Sequence, residues 1–370
     1  MIRQSVLLVL CVAQGGNFVA RGVNVLTAAG VNRDVRPDYS ARIQKLYTAI
    51  ETRLADKKAG LYRETTDSAH NEHPHSYLWP LCAYIQAANE MEAKGGGGYM
   101  QPVEAAIAHY YRDDPPAPGY QAYVTKEKKD TRYYDDNQWI AIADLDAYNR
   151  THLRKYLDQG ELIYRYMLTG LDTVSGGGFY WREGDKSSKN TCSNGPGILI
   201  ALQLYKIAQK EEYLRTAMAV YEWTNKWLES PEGLYYDNLR IPSLQVSKAT
   251  YTYNTGTMLQ ANVLLYGITK DKKYLNEARR IATAGKEHFF RNGRLPGNYW
   301  FNAVLLRGYE ALYQVDHDRG WIDFFVQDAE GVWNTRDVIT DMVGAKPAKS
   351  LIDQAAMIEI YARLEAIGVK

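Results

Sequence analysis

Asn194-Gly195-Pro196-Gly197-Ile198-Leu199-Ile200-Ala201-Leu202 decides the fold. Its apolar run has no polar stripe, and a helix apolar on every side belongs in an interior. Val263-Leu264-Leu265-Tyr266 has the same character. Segments of this kind begin near Ser76, Asp135, Asn194, Asn254, Trp300 and Leu351. Their starts lie roughly 45–60 residues apart, the length of one helical hairpin with its loop. Between them run amphipathic stretches: Ile43, Leu46, Tyr47, Ile50 and Leu54; Leu153, Tyr156, Leu157 and Tyr164; Leu214, Ala217, Met218 and Tyr221; Leu275, Ala278, Ile281 and Ala282. Each set falls on one face at helical spacing. Weaker candidates run near 102–112 and 318–327. This alternation predicts an all-α chain, an (α/α)6 barrel of six inner and six outer helices, forming one domain over 21–370. All inner helices then run the same way and bring their N-termini, with free N–H groups and positive dipole ends, to one mouth.

The balance of 44 Lys+Arg against 43 Asp+Glu speaks against a nucleic-acid binder, which normally carries a basic stripe. Tyrosine is over-used, with 30 Tyr and 8 Trp against 7 Phe. Rings with an apolar face and a polar edge match the C–H faces and hydroxyl rims of sugars, although most single tyrosines serve helix packing. A Gly-x-aromatic pattern recurs in segments expected to enter the mouth: Gly60-Leu61-Tyr62, Gly178-Phe179-Tyr180-Trp181, Gly233-Leu234-Tyr235-Tyr236 and Gly331-Val332-Trp333. These read equally as turns with an aromatic plug and as sugar contacts. Cys82 and Cys192 read as small buried hydrophobes, with no disulfide framework and no zinc spacing.

At the N-terminus, Arg3 precedes Val6-Leu7-Leu8-Val9-Leu10-Cys11-Val12-Ala13, a basic start and a short apolar core. That pattern predicts an export segment over 1–20 and an extracytoplasmic protein, with Cys11 a candidate for lipid attachment. The run is too short to span a membrane.

The chemistry centres on Arg132-Tyr133-Tyr134-Asp135-Asp136-Asn137-Gln138-Trp139. Two adjacent carboxylates stand where an inner helix begins. If the first is non-helical, both can point into the mouth. Glycoside hydrolysis needs two carboxyl groups, held about 5–5.5 Å apart in retaining enzymes. Like charges so close oppose double ionisation, leaving one group as acid and the other as nucleophile. The same spacing also reads as an N-cap and a second acid favoured by the helix dipole.

The run Tyr134-Asp135-Asp136-Asn137-Gln138-Trp139, with its downstream helix, resembles glycoside hydrolase family 76, the α-1,6-mannanases and their relatives. Lys189-Asn190-Thr191-Cys192-Ser193-Asn194-Gly195-Pro196 and Tyr251-Thr252-Tyr253-Asn254-Thr255-Gly256-Thr257 resemble it too, in the same order, so that the likeness spans residues 40–365. The resemblance implies an (α/α)6 barrel and retaining, endo-acting hydrolysis of α-1,6-mannosidic bonds of mannan, with Asp135 as nucleophile and Asp136 as acid/base. Candidate substrate contacts are Tyr134, Asn137, Trp139, Tyr180, Trp181, Lys189, Asn190, Tyr253 and Asn254. Asn194 and Asn254 read equally as helix caps. Where the family often shows Tyr-Asn-Gln-Gly, this chain has Tyr253-Asn254-Thr255-Gly256, a departure expected at a substrate contact.

No cofactor and no metal are expected, and the chain reads as a monomer acting on a mannan polysaccharide or oligosaccharide. His70, His73 and His75, with Asp67 and Glu72, lack regular ligand spacing and read as a solvated loop. Lys126-Glu127-Lys128-Lys129-Asp130 reads as exposed. A transglycosylase of the same family would keep both aspartates and favour a sugar acceptor. A different enzyme class is a sugar epimerase or unsaturated-uronide hydrolase on a similar barrel; such epimerases rely on histidines within the barrel, whereas the inner-helix starts here offer carboxylates and amides and no histidine pair. A non-catalytic glycan binder would need no acid.

Overall fold

The computed structural model describes residues 37–69 and 71–368. The export segment over 1–20, Cys11 and His70 lie outside the described residues. Pro37–Lys370 forms one compact unit.

Twelve α-helices alternate along the described residues: α1 (Tyr39–Ala49), α2 (Leu78–Ala93), α3 (Met100–Ala108), α4 (Tyr134–Thr151), α5 (Arg154–Leu168), α6 (Thr191–Ala208), α7 (Glu211–Leu228), α8 (Thr252–Thr269), α9 (Lys272–Phe289), α10 (Tyr299–Asp316), α11 (Asp323–Asn334) and α12 (Leu351–Ala366). The even-numbered helices pack in sequence, α2 on α4, α4 on α6, α6 on α8, α8 on α10, α10 on α12 and α12 back on α2, so they close a ring. This is the (α/α)6 barrel that the apolar periodicity predicts. The outer helices α3, α5, α7 and α9 each pack on the inner helix before them, and α1 closes against α12. No helix among the described residues is long and apolar enough to cross a membrane.

The two ends of the barrel differ. At the inner helices' C-termini, α4, α6 and α8 end in a left-handed residue, His152, Gln209 or Lys270, followed by one extended residue that starts the next outer helix. α10 ends the same way at His317. Such residues in αL satisfy the last carbonyls and turn the chain sharply. At the N-terminal mouth the connections are long. They carry short antiparallel ladders, including a three-stranded sheet of Ser188–Asn190, Tyr236–Arg240 and Val246–Thr250. Loop length therefore concentrates chemistry at one end.

A repeated amide ties these long loops down. The fourth residue of α4 is Asn137, whose side chain accepts from the Tyr120 N–H at 2.7 Å and donates to the carbonyls of Tyr120 and Tyr133. Asn194 in α6 does the same to Phe179 and Asn190, and Gln354 in α12 to Val343 and Ser350. Each clamp satisfies backbone groups that burial would otherwise strand. In α8 the fourth residue is Thr255, whose hydroxyl reaches only the Tyr235 N–H, at 3.4 Å. Neighbouring Asn254 is fully buried with both amide atoms unpartnered.

α8 and α10 approach more closely than side chains allow. A Cβ on Gly256 would stand 2.6 Å from the Leu305 Cα and 2.8 Å from the Val304 carbonyl, and one on Gly308 would meet the Gly256 carbonyl. Backbone cannot yield as a side chain can. Gly256→Ala is expected to cost at least about 1–3 kcal/mol through overpacking, read as a lowered midpoint in chemical denaturation. An unchanged midpoint would show that the two helices can separate freely.

The Gly331-Val332-Trp333 expectation is corrected: these residues lie inside α11, with Val332 and Trp333 buried. Gly60, Gly178 and Gly233 do sit at positive φ in turns. Their aromatics Tyr62, Phe179, Tyr180 and Tyr235 are buried plugs.

Candidate active site

α4 begins at Tyr134, with Tyr133 as its N-cap in extended conformation. Asp135 and Asp136 therefore occupy the first helical turn, and neither is the cap. Successive residues of a helix diverge in direction. Asp135 turns toward the α6 side, where the Trp181 indole N–H donates to Oδ2 at 3.2 Å and Cys192 lies beside it. The backbone N–H of Asp136, free at the helix start, donates to Asp135 Oδ1 at 3.1 Å. The Asp136 carboxylate takes no hydrogen bond among the described residues. Its carbonyl accepts from the Cys82 thiol at 3.2 Å.

Burial raises both carboxyl groups, because the ionised form loses water. Asp135 is pushed up to about 6, with the neighbouring thiol, its own turn's N–H and the Trp181 indole holding it back. Asp136 rises well above the usual carboxylate range, from burial first and then from the charge of Asp135. The donors make the pair unequal: Asp135 ionises first, while Asp136 keeps its proton.

The cost appears in folding. Both groups bind protons more tightly folded than unfolded. Below their ordinary values both states are protonated and the pair contributes nothing. Above those values the unfolded chain ionises freely, and stability falls as pH rises. Asp136→Asn is therefore expected to raise the melting temperature at pH 7 and to leave it unchanged near pH 3. A melting temperature unmoved at pH 7 would mean that Asp136 is not held protonated.

The two aspartates line a cavity of about 750 Å³ at the mouth. Its wall is aromatic: Tyr77, Trp79, Tyr133, Trp139, Trp181, Tyr251, Tyr253, Trp300 and Phe301 all face it. Trp139 meets Trp300 edge-on at 5.6 Å, and Tyr253 lies 4.0 Å from Phe301. Trp181 and Tyr251 remain 37% and 40% exposed, wide for rings of their size, and form lips on the cavity. Four carboxylates line it, Asp130, Asp135, Asp136 and Asp237, with Lys128 as the one cationic side chain among the described lining residues. No group of side chains suited to a metal ion occurs among the described residues.

Of the candidate contacts, Trp139, Trp181, Asn190 and Tyr253 lie on this wall. The other five stand behind it. Tyr134 is buried and stacks on Tyr166 at 5.2 Å. Asn137 is a loop clamp, and Asn254 is buried beside one. Lys189 is fully buried: its ammonium donates to Asp172 at 2.8 Å and to the carbonyls of Val174 and Gly177. The Tyr180 hydroxyl donates to the same Asp172, and its ring lies over the Lys189 ammonium at 4.5 Å. Together they fix the 172–181 loop that delivers Trp181 to Asp135. The Thr255 departure likewise falls on a loop clamp and not on the cavity wall.

Sequence reasoning missed Asp237. Burial raises its carboxyl, while Asn238 donates to it at 2.7 Å. The only signal was an Asp-Asn pair directly after Gly233-Leu234-Tyr235-Tyr236. Cys192 is buried and unpaired, as its reading as a small buried hydrophobe expects, and it also lines the cavity; the largely exposed 126–130 run contributes Lys128 and Asp130 to the same wall. The histidine loop is tied down as well: His75 bonds Glu127 at 2.6 Å, and His73 packs on Tyr123 at 4.4 Å.

The family model for glycosyl hydrolase family 76 matches residues 41–326. The mannan endo-1,6-alpha-mannosidase DCW1 of Candida glabrata is 26% identical over 53% of this chain and 46% of its own length. The chain spans about half the length of the curated relatives it matches. Among solved structures, the GH76 alpha-mannanase BT2949 of Bacteroides thetaiotaomicron superposes with a TM-score of 0.83 at 22% identity, covering 90% of this chain and 98% of that one. An inactive variant of the α-1,6-mannanase GH76A of Salegentibacter sp. HEL1_6, with two adjacent aspartates replaced by asparagine and α-1,6-mannotriose bound, superposes with a TM-score of 0.77 at 22% identity, covering 89% of this chain and all 100% of that one.

Proposed function

The chain belongs to glycosyl hydrolase family 76, and from that premise we propose that it hydrolyses α-1,6-mannosidic bonds within mannan chains, with retention at the anomeric carbon. The observation that carries this reading is the unequal environment of the adjacent aspartates. Asp135, supplied with donors, is the ionised nucleophile. Asp136, desolvated and without one, is the protonated acid.

In the first step an Asp135 oxygen attacks the anomeric carbon, and the bond from that carbon to the leaving oxygen breaks. The Asp136 proton passes to that oxygen, so the leaving sugar departs neutral. In the second step Asp136, now ionised, takes a proton from water. The water oxygen replaces Asp135 on the anomeric carbon and frees its carboxylate. The aromatic wall offers stacking faces to sugar rings, and the Tyr253 hydroxyl, pushed up by burial and by its acidic neighbours, stays a donor.

The mannan linkage rests on what the relatives are named for, an endo-1,6-alpha-mannosidase and an α-1,6-mannanase holding mannotriose. Internal cleavage is supported by the open cavity, which is large enough for more than one sugar and borders a second cavity past Tyr251 and Phe301. Action outside the cytoplasm rests on the reading of residues 1–20 as an export segment. The test is a timed digest of linear α-1,6-mannan and of β-1,4-mannan, with products sized. Early oligosaccharides of mixed length from the α-1,6 polymer alone are expected. Mannose as the sole early product, or cleavage of the β-linked polymer, overturns the reading.

A further inference from the structure

The second cavity, about 700 Å³, adjoins the first: Tyr251 and Phe301 line both. Their rings meet edge to face at 6.1 Å and form the wall between the two. The charge on the two sides is opposite. The first cavity is lined by four aspartates and one lysine, whereas the second is lined by Arg291, Arg294 and His288, with no carboxylate among its described lining residues.

The arginines are placed there by a rigid turn. Arg291 and Arg294 exchange backbone hydrogen bonds at 2.9 and 3.0 Å across Asn292-Gly293. Both central residues have positive φ, 53° and 76°, the conformation of a tight two-residue hairpin. Two residues paired this way present their side chains to the same face, and like charges directly opposite destabilise the pair. Among the described residues, only one of them is compensated. Arg294 donates to Asp328 at 2.9 Å, and that carboxylate, 6% exposed, is also occupied by the Leu295 N–H. Arg291 is exposed and has no ion pair or side-chain hydrogen bond among the described residues. His288 and Thr250 line the same cavity and bond each other, imidazole Nε2 to hydroxyl, at 3.1 Å.

A turn that places two arginines side by side, with one guanidinium left free, is suited to an oxyanion, which Arg binds with two parallel N–H donors. We propose that this second cavity is a docking site for an anionic group, phosphoryl or carboxylate, carried on the glycan whose neutral mannosides occupy the catalytic cavity. The proposal rests on the glycan-hydrolase reading above and adds a preference to it: charged chains are held, by a group that stands clear of the reacting bond. The aspartates of the first cavity repel such a group, so the Tyr251–Phe301 wall sorts the two parts of the chain.

The test is binding of mannose, mannose 6-phosphate and glucuronic acid to the full chain, measured by calorimetry for the wild type, Arg291→Gln and Arg291→Lys. The wild type should bind at least one of the two anionic sugars at least ten-fold more tightly than mannose, and which one it favours identifies the group. The preference should vanish in Arg291→Gln, be reduced but remain in Arg291→Lys, which keeps the charge and loses the two-pronged donor, and weaken in high salt. Hydrolysis of a neutral α-1,6-mannotetraose should be unchanged by Arg291→Gln, which also shows that the variant folds. Equal affinity for neutral and anionic sugars overturns the proposal, as does a preference that survives Arg291→Gln. Because binding is read without turnover, a chain that prefers the anionic sugar but cleaves no α-1,6-mannan refutes the hydrolase reading and leaves the site standing.

Discussion

Asp135→Ala is expected to lose turnover on every substrate, by at least about 10⁴-fold, because no nucleophile remains to form the glycosyl-enzyme. Asp136→Ala should behave differently. Loss of a general acid costs about 10²–10⁴-fold on mannan. An activated aryl mannoside needs little protonation, so its first step survives. The second step still lacks its base, and a covalent intermediate should accumulate as a burst. Azide, a nucleophile that needs no deprotonation, should then restore release with retained configuration. The basis is the donor imbalance: Asp135 takes the Trp181 indole and a backbone N–H, and Asp136 takes none. Pre-steady-state kinetics of both variants decide it. A burst and azide rescue with retained configuration in Asp135→Ala, together with no burst in Asp136→Ala, would exchange the two roles.

The second large effect is expected at residues of the inner helices that do not line the cavity. Arg307 of α10 bonds Glu359 of α12 at 2.6 Å and Asp146 of α4 at 3.0 Å. Arg363 bonds the same Glu359 at 2.9 Å, Glu90 of α2 at 2.8 Å and Glu310 of α10 at 2.8 Å. Gln203 of α6 adds a bond to Asp146. One charged network thus ties five of the six inner helices. Glu359 is fully buried. Burial alone would raise its carboxyl, but the two guanidinium groups hold it below its usual value. Removing it leaves two buried cations facing each other. Glu359→Leu should cost about 3–5 kcal/mol, measured by denaturant unfolding, while catalysis by the folded fraction stays intact. A loss below about 1 kcal/mol would mean that water or neighbouring acids already neutralise the arginines.

How much of this was readable follows from what each feature displays in sequence. The inner helices announced themselves because burial on all sides leaves an unbroken apolar record. Their expected starts near Ser76, Asp135, Asn194, Asn254, Trp300 and Leu351 fall within three residues of the observed Leu78, Tyr134, Thr191, Thr252, Tyr299 and Leu351. The sharp joints at His152, Gln209 and Lys270 were silent, since none is a glycine. The charged network hid inside segments judged by their apolar majority, although Glu359 and Arg363 stand four apart in the otherwise apolar stretch 355–364 of α12.

Site residues were legible by neighbourhood and not by direction. Trp139, Trp181, Asn190 and Tyr253 reach the cavity, while Tyr134, Asn137, Tyr180, Lys189 and Asn254, some of them adjacent, point elsewhere. One residue along a helix changes the direction of a side chain by about 100°. Lys189 shows the limit most clearly: a lysine beside a glycan site reads as a sugar ligand, but its three bonds all hold the loop behind Trp181. Asp237 arrives from a strand pair whose register with Ser188–Asn190 is set by the fold and has no local signature.

The central claim, double displacement at Asp135 and Asp136, is tested most directly by the anomer first released. Linear α-1,6-mannan is digested in the NMR tube, and the anomeric proton of the new reducing end is followed before mutarotation. Double displacement gives the α-anomer first, with the β-anomer growing in only at the rate of spontaneous mutarotation. A β-anomer formed first would mean single displacement by water, with no glycosyl-enzyme at Asp135.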